Sequence, residues 1–183
     1  MGITIILGVP GAGKSTVLAS AKEKSNYSMV NYGDLMFKIA SQKKYASHRD
    51  ELRRLPPEKQ MKVQSEVGDE LAKMQGNVIL DTHCSISTRK GYLPGLPLPL
   101  LSKLPVKQLV LITAPISEIL GRRRSDTARR RDEETPESLK GHEDWNKFLL
   151  ATYSVVSGAP AKIIVNSDGK LEEAQHALLA LLD

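Results

Sequence analysis

Residues 3–24, ITIILGVPGAGKSTVLASAKEK, combine a strand, a phosphate-binding loop and a helix in one continuous stretch. Residues 3–7 are apolar and β-branched, a pattern typical of a strand buried on both faces in a parallel sheet. Residues 8–15 fit the motif G-x-x-x-x-G-K-[ST] completely, and residues 15–24 have a helical composition. Because the motif stands between the strand and the helix that it requires, it predicts a polyphosphate site. The alternative is a glycine-rich turn with an exposed lysine.

The loop supplies the residue types that nucleotide phosphates need. Its glycines let successive N–H groups face inward, and the helix N-terminus adds partial positive charge. We expect Lys14 to contact the β- and γ-phosphates, Ser15 to ligate Mg²⁺ and Thr16 to contact the α-phosphate. The predicted nucleotide-binding residues are Gly8, Val9, Pro10, Gly11, Ala12, Gly13, Lys14, Ser15 and Thr16.

The short-strand pattern recurs downstream at residues 28–31, 78–81, 109–113 and 162–166. Helical periodicity separates these segments, which predicts an α/β fold with right-handed crossovers and a five-stranded parallel sheet covered on both faces. Ligands of such sheets bind beyond the carboxyl ends of the strands. The helical positions that we expect to face the core are Met61, Val67, Leu71 and Met74, then Trp145, Phe148, Leu149, Thr152 and Val156, and finally Leu171, Ala174, Leu178 and Leu181.

Two segments interrupt the alternation of strands and helices. Residues 91–99, GYLPGLPLP, contain three prolines and two glycines, which predicts an ordered irregular loop instead of a helix or a central strand. Residues 121–134 lack apolar periodicity and are rich in arginine, which predicts a flap that covers the core.

Size and composition limit the class of protein. A length of 183 residues predicts one domain, and 40% apolar with 26% charged residues suits a globular core. An aromatic content of 4% disfavours a reader of single-stranded RNA, whereas a net charge of +5 favours a polyanionic partner. The single cysteine, Cys84, excludes an internal disulfide and a thiolate-rich metal site. With no membrane span or secretory leader in the sequence, we expect a cytoplasmic protein.

Candidate residues follow the strands at residues 28–31 and 78–81. Asp81 could hold Mg²⁺ through water or cap a helix, and His83 could orient a phosphate or make a structural hydrogen bond. Gly33 or Asp34 suits the start of a helix at residues 35–42 whose amides face the cleft.

A second group of candidates lies in two other segments. In residues 48–55 a basic side chain could reach an acceptor phosphate, or Arg49 and Arg53 could pair with Asp50, Glu51 or neighbouring carboxylates. Tyr92 could frame a flat base or pack within its own loop. No general base stands out, which suits an acceptor whose nucleophile is an ionised phosphate oxygen.

The arginine-rich segment helps to choose among phosphate-loop proteins. Six arginines lie in residues 122–131, and a mobile lid would direct them at a transferring phosphoryl group; a solvated basic patch that contacts nucleic acid is the alternative. No Asn-Lys-x-Asp element is present, which argues against a switch GTPase. The chain is also short for a motor ATPase, so a small kinase is favoured.

Together these residues resemble the archaeal-type adenylate kinases over nearly the entire chain. The motifs GVPGAGKST, NYGD, RDELRRL, DTH and GYLPGLP, followed by the arginine-rich segment, occur in the order of that family. The resemblance implies a P-loop NTPase fold and reversible transfer between Mg·ATP and AMP to give two ADP. It further implies one domain at residues 1–183, with an AMP-binding part at residues 32–75, a lid at residues 121–135, and assembly as a homotrimer.

The resemblance also assigns roles to single residues. Lys14 and the lid residues Arg122, Arg129 and Arg131 are implied to be catalytic, with Mg²⁺ held by Ser15 and Asp81. AMP is implied to lie near Gly33, Asp34 and Arg53, while His83 and Tyr92 stay further candidates. Where the family leads us to expect a basic residue this chain has Ser87, and Arg89 could replace it.

Two other functions stay open at the level of sequence. The chain could be a CMP or UMP kinase or another small-molecule kinase, which a screen of acceptors would reveal. It could also be an RNA-binding or assembly factor that uses the loop as a nucleotide switch, which salt-sensitive RNA binding without phosphotransfer would indicate.

Overall fold

The computed structural model describes residues 2–88, 90–125 and 135–182, without the side chain of Arg53. Five parallel strands form the central sheet in the order β2-β3-β1-β6-β7, and β4 and β5 form a separate antiparallel hairpin. The strands are β1 (Gly2–Leu7), β2 (Ser28–Asn31), β3 (Asn77–Asp81), β4 (Ser85–Thr88), β5 (Gly91–Pro94), β6 (Val106–Thr113) and β7 (Ala161–Val165).

Helices cover both faces of the sheet. Side chains alternate along a strand, so Ile3, Ile5 and Leu7 of β1 join the core cluster that α2, α3 and α6 complete, whereas Ile6 joins the cluster with α1, α5 and α7. The helices are α1 (Lys14–Lys24), α2 (Tyr32–Gln42), a 3₁₀ helix (Arg49–Arg54), α3 (Pro57–Lys73), α4 (Leu98–Leu101), α5 (Ile116–Ser125), α6 (Pro136–Ser157) and α7 (Leu171–Leu179).

The structure confirms the five strands of the parallel sheet and corrects the segment at residues 91–99. That segment contains β5, which pairs with β4, and the first residues of α4. Prolines are tolerated here because Pro94 ends a strand of a two-stranded hairpin and Pro97 is the N-cap of α4, where a missing N–H removes no ladder or helix bond.

The predicted core face of α6 was wrong except at Leu149, which packs against the core. Trp145 and Phe148 are 43% and 71% exposed, while His142, Glu143 and Asn146 are buried. Hydropathy predicted the wrong face of α6 because the buried face includes polar side chains, and their hydrogen-bond partners lie in distant parts of the chain.

Other helix predictions need smaller corrections. Met61 of α3 is 62% exposed, and Val63 takes its place in the core. Helix α2 begins at Tyr32, earlier than expected, because Asn31 serves as its N-cap. Residues 121–125 belong to α5, and residues 126–134 of the expected flap lie outside the described residues. Within the described part of the chain, each helix is too short or too polar to cross a membrane.

Candidate functional site

The phosphate-binding loop lies where β1, in the middle of the sheet, leads into α1. Gly13 is the N-cap of α1 with φ 80°, and a Cβ there would lie 2.1 Å from Asn166 Nδ2, so glycine is required for conformation and for space. The first turn of α1 has no acidic residue. The partial positive charge of its amides is therefore left for an anion.

Three side chains hold the carbonyl groups of this loop from outside. Arg123 Nε donates to Pro10 O at 2.7 Å, and Arg122 Nη1 lies 3.5 Å from Gly11 O. Asn166 Nδ2 donates to Ala12 O at 3.0 Å. The N–H of a trans peptide points away from its carbonyl, so the contacts with Pro10 O and Ala12 O direct the N–H groups of Gly11 and Gly13 to the opposite side of the loop. The N–H of Ala12 instead donates to Val9 O at 3.3 Å. We call Arg122, Arg123 and Asn166 the carbonyl brace.

A carboxylate and a lysine meet at the carboxyl edge of the sheet. The Lys14 ammonium contacts Asp81 Oδ1, and Asn31 Nδ2 donates to Asp81 Oδ2 at 3.0 Å. The Lys14 and Asp81 side chains are 13% and 18% exposed. Asn31 and Asp81 are register partners of β2 and β3. The parallel ladder thus brings Asp81 beside the loop, as its place at a strand end predicts.

Asn31 also organises the corner at the start of α2. Its Oδ1 accepts from Asp34 N and from Arg49 Nη2, each at 3.1 Å, and Arg49 pairs with the Asp34 carboxylate. A Cβ on Gly33 would lie 2.3 Å from Arg49 Nη2, so the guanidinium occupies space that only glycine leaves. Arg49 belongs to the segment in which a basic side chain was expected to reach an acceptor phosphate, but the family resemblance assigned that role to Arg53 and not to Arg49. The motif RDELRRL, close to NYGD, was the available signal.

The remaining predicted residues have different positions. His83 is exposed just after β3. Tyr92 stacks on the rings of His142 and Trp145, with centroids 4.8 and 5.7 Å apart. The Arg122 guanidinium, besides its brace contact, bonds Glu118 Oε2 at 3.0 Å and pairs with Asp168. Arg89, Arg129 and Arg131 lie outside the described residues, as does the Arg53 side chain.

A buried polar network links α6 to two strand ends. Thr113 Oγ1 donates to Glu143, which is 3% exposed, and Ser85 Oγ donates to Asn146 Oδ1 at 2.5 Å. Nearby, burial raises the pKa of the Cys84 thiol to about 12. The network fixes α6 against the ends of β6 and the β4–β5 hairpin, and no pattern in the sequence predicts it.

Comparisons with known proteins agree on a nucleotide-binding kinase fold. Residues 7–140 match the family described as "AAA domain". The chain is 42% identical to the adenylate kinase of Methanocaldococcus jannaschii, with 98% of this chain and 97% of that protein covered. It is 44% identical to the adenylate kinase of Pyrococcus horikoshii, with 99% and 95% covered. A shikimate kinase structure from Acinetobacter baumannii, in complex with shikimate, aligns with a TM-score of 0.62 at 20% identity over 100% of this chain and 93% of that one, and shows the fold alone.

Proposed function

The chain belongs to the adenylate kinase family, and from this premise we propose that it transfers a phosphoryl group reversibly between ATP and AMP, with two ADP as the products. The observation that carries the proposal is the contact of Lys14 with Asp81 at the mouth of an anion-binding loop, next to a second cationic corner at Arg49. Two phosphate-bearing ligands could therefore meet at the carboxyl edge of one sheet.

The donor side is proposed to be the loop and the first turn of α1, residues 8–16. The inward amides and the N-terminus of α1 attract the phosphates of ATP, and Lys14 adds a mobile positive charge. To reach the β- and γ-phosphates, the Lys14 ammonium has to exchange its bond to Asp81 for bonds to phosphate oxygens. The carbonyl brace keeps the amides oriented while this exchange takes place.

Ser15 and Asp81 are the residues that we propose hold Mg²⁺. A carboxylate and a hydroxyl are the oxygen ligands that Mg²⁺ prefers, and Mg²⁺ sites of this kind use few protein ligands together with substrate phosphates. Asp81 lies beside the loop lysine, and Ser15 is exposed in the first turn of α1, so the donor set fits the ion. Bound Mg²⁺ neutralises the charge that develops on the phosphates.

The acceptor side is proposed to be the AMP-binding part at residues 32–75. Gly33 and Asp34 lie in the first turn of α2, where the Asp34 carboxylate offsets the positive charge of the helix N-terminus. The charge that attracts the AMP phosphate is therefore proposed to be the Arg49 guanidinium, once it exchanges its bond to Asp34 for bonds to the phosphate. The sequence further assigns Arg53, His83, Arg89 and Tyr92 to this substrate. The phosphate oxygen of AMP is already ionised, so no side chain has to remove a proton from the nucleophile.

Residues 121–135 are proposed to form a lid, and this lid belongs to the single domain that we propose for residues 1–183. Arg122, Arg129 and Arg131 are proposed to stabilise the charge of the phosphoryl group in flight and to exclude water. Arg122 contacts Gly11 O and pairs with Asp168 at the end of α5, so it has to exchange these bonds for bonds to phosphate oxygens to take this role.

The experiment is conversion of ADP to ATP and AMP by the purified protein with Mg²⁺. Lys14→Met should lower kcat by about a hundredfold or more because it removes one donor to the transferring group. Lys103→Met is the matched control, since Lys103 makes an exposed ion pair with Asp69 away from the cleft, and it should retain wild-type kcat. Absence of ADP conversion by the wild type, with phosphorylation of CMP, UMP or another acceptor instead, would contradict the AMP assignment.

Assembly as a homotrimer, the state that the family resemblance implies, is proposed as well. Helix α6 leaves Trp145, Phe148 and Val155 exposed, and β7 leaves Ile163 and Val165 exposed. Apolar side chains grouped on one surface favour contact with another protein surface. Sedimentation equilibrium tests the assembly, and a monomeric mass at micromolar concentration would contradict it.

We place the reaction in the cytoplasm. The sole cysteine, Cys84, is a buried free thiol, which suits a reducing compartment. Fractionation of the source cells with an antibody to the chain tests this location, and recovery outside the cytoplasmic fraction would contradict it.

A further inference from the structure

We propose that Asn31 is a positioning residue that couples the acceptor corner of the cleft to the Lys14–Asp81 pair. The inference rests on the proposed phosphotransfer between two nucleotides. It adds to that function a side chain that belongs to neither the phosphate-binding loop nor the set of residues predicted to contact substrate.

The amide of Asn31 bonds three different elements. Its Nδ2 donates to Asp81 Oδ2 at the end of β3, at 3.0 Å. Its Oδ1 accepts from Asp34 N in the first turn of α2 and from Arg49 Nη2 in the 3₁₀ helix, both at 3.1 Å. Both acceptor positions of the amide oxygen and one of its two N–H donors are therefore in use.

On the donor side, Asn31 orients the Asp81 carboxylate. Lys14 holds one oxygen of this carboxylate and Asn31 holds the other. When Lys14 turns to the phosphates of ATP, Asn31 is the described side chain that still bonds Asp81. The bond therefore keeps the carboxylate in a fixed orientation at the stage when its other partner has moved.

On the acceptor side, the hydrogen bonds of Asn31 Oδ1 depend on the position of the Arg49 guanidinium. The Arg49 and Asp34 side chains are 53% and 67% exposed, so their ion pair is open to competition. A phosphate dianion offers a guanidinium stronger, bidentate hydrogen bonds than one carboxylate does. If Arg49 turns to the acceptor phosphate, Asn31 Oδ1 loses one of its two donors, and the side chain that orients Asp81 changes its environment.

A plain helix-capping role for Asn31 is separable from this coupling. Serine and asparagine are comparable N-caps, so Asn31→Ser keeps an oxygen for Asp34 N. Asn31 reaches Asp81 with Nδ2 and both Asp34 N and Arg49 with Oδ1, whereas serine carries its donor and acceptors on one oxygen closer to the main chain, so while it caps α2 it does not reach Asp81 and Arg49. Asn31→Ala removes the cap as well as the coupling.

The test combines binding, kinetics and stability in the full chain. Calorimetry measures the affinity for AMP with and without a non-hydrolysable ATP analogue, with Mg²⁺ present throughout. The analogue should change the AMP affinity of the wild type by about fivefold or more, and the factor should approach one in Asn31→Ser. The kcat of Asn31→Ser should fall by about tenfold or more, since a hydrogen bond to a charged group is lost, while its Tm should stay within about 2 °C of the wild type.

The outcomes are distinguishable. If Asn31→Ser retains the wild-type kcat and the wild-type effect of the analogue, and only Asn31→Ala loses stability, Asn31 is a helix cap and the inference is overturned. If the wild type fails to convert ADP, the proposed function fails and the inference fails with it. In support, the kcat loss of Asn31→Ser combined with Arg49→Met should be smaller than the product of the two single losses, as for residues in one network.

Discussion

The carbonyl brace gives a prediction for Asn166→Ala that concerns stability and ATP binding separately. Asn166 is buried, and its side chain donates to Ala12 O at 3.0 Å. Truncation leaves the Ala12 carbonyl without this donor and empties the space over Gly13. An unsatisfied buried acceptor costs about 1–3 kcal/mol, so Tm should fall by about 2–12 °C at the scaling of about 2–4 °C per kcal/mol for a chain of this size.

The same truncation frees the Ala12–Gly13 peptide, whose amide belongs to the proposed donor site. We therefore expect the KM for ATP to rise by about tenfold, since one oriented hydrogen bond to a charged group is worth roughly that factor. The KM for AMP should change less than about twofold, because Asn166 lies beyond β7, on the other side of β1 from β2 and β3. Initial rates at saturating concentration of each co-substrate, with thermal melts of the same samples, provide both numbers.

The matched control is Gln108→Ala. Gln108 is also a buried amide that bonds a backbone carbonyl, at 3.2 Å from Leu109 O, but it lies near the start of β6, at the opposite edge of the sheet from the loop. It should lower Tm without raising the KM for ATP. If Asn166→Ala lowers Tm by the expected amount and leaves the KM for ATP unchanged, the brace serves stability alone and the argument about amide orientation is refuted.

Three further changes test other parts of the site. Gly33→Ala should displace the Arg49 guanidinium, because the new Cβ would lie 2.3 Å from Arg49 Nη2. The KM for AMP should then rise by about tenfold. An unchanged KM for AMP would show that Arg49 does not contact AMP. Thr113→Val should lower the free energy of unfolding by about 1–3 kcal/mol in urea melts, because buried Glu143 loses its hydroxyl donor, and a loss below about 0.5 kcal/mol would contradict this. Burial raises the pKa of the Cys84 thiol from 9.0 to about 12, so the thiol of the unfolded chain loses its proton at lower pH than the thiol of the folded chain. The stability of the wild type should therefore fall relative to that of Cys84→Ala as pH rises above about 9, by up to about 1.4 kcal/mol per pH unit. Parallel melts of both proteins at pH 8 and pH 10 measure this difference in stability, and a difference that is the same at both pH values would refute the burial argument.

The sequence predicted the parts of the site that depend on local patterns. The loop motif and the short apolar strands are contiguous, and parallel strands place their carboxyl ends at one edge, so the approach of Asp81 to Lys14 followed from position alone. Relationships between residues distant in sequence were not predictable in this way. Arg49 approaches Asn31 across 18 positions, and Asn166 reaches Ala12 across 154, and such contacts leave no periodic signal.

Helix α6 shows a different limit of sequence reasoning. Its buried stripe includes His142, Glu143 and Asn146, which hydropathy assigns to solvent. Their burial is tolerated because Ser85 and Thr113 supply hydrogen-bond partners from the ends of other elements. Trp145, Phe148 and Val156 of the same helix are exposed, although Leu139, Leu150 and Tyr153 are buried with the polar residues. The periodicity of hydropathy therefore identifies a helix, but it does not identify the buried face of that helix when other elements of the fold supply hydrogen bonds to its polar side chains.

The ion pairs of the cleft explain why the proposed donor should be Mg·ATP and not free ATP. Lys14 is paired with Asp81, and Arg49 is paired with Asp34, before any nucleotide binds. A polyphosphate that takes Lys14 leaves the Asp81 carboxylate, still held by Asn31, close to the phosphate oxygens. At the effective dielectric constant of a partly buried site, two like charges about 4 Å apart repel by about 4 kcal/mol. Mg²⁺ held by Asp81 and Ser15, as proposed, would remove that repulsion, and for this reason we expect the donor nucleotide to bind together with the cation.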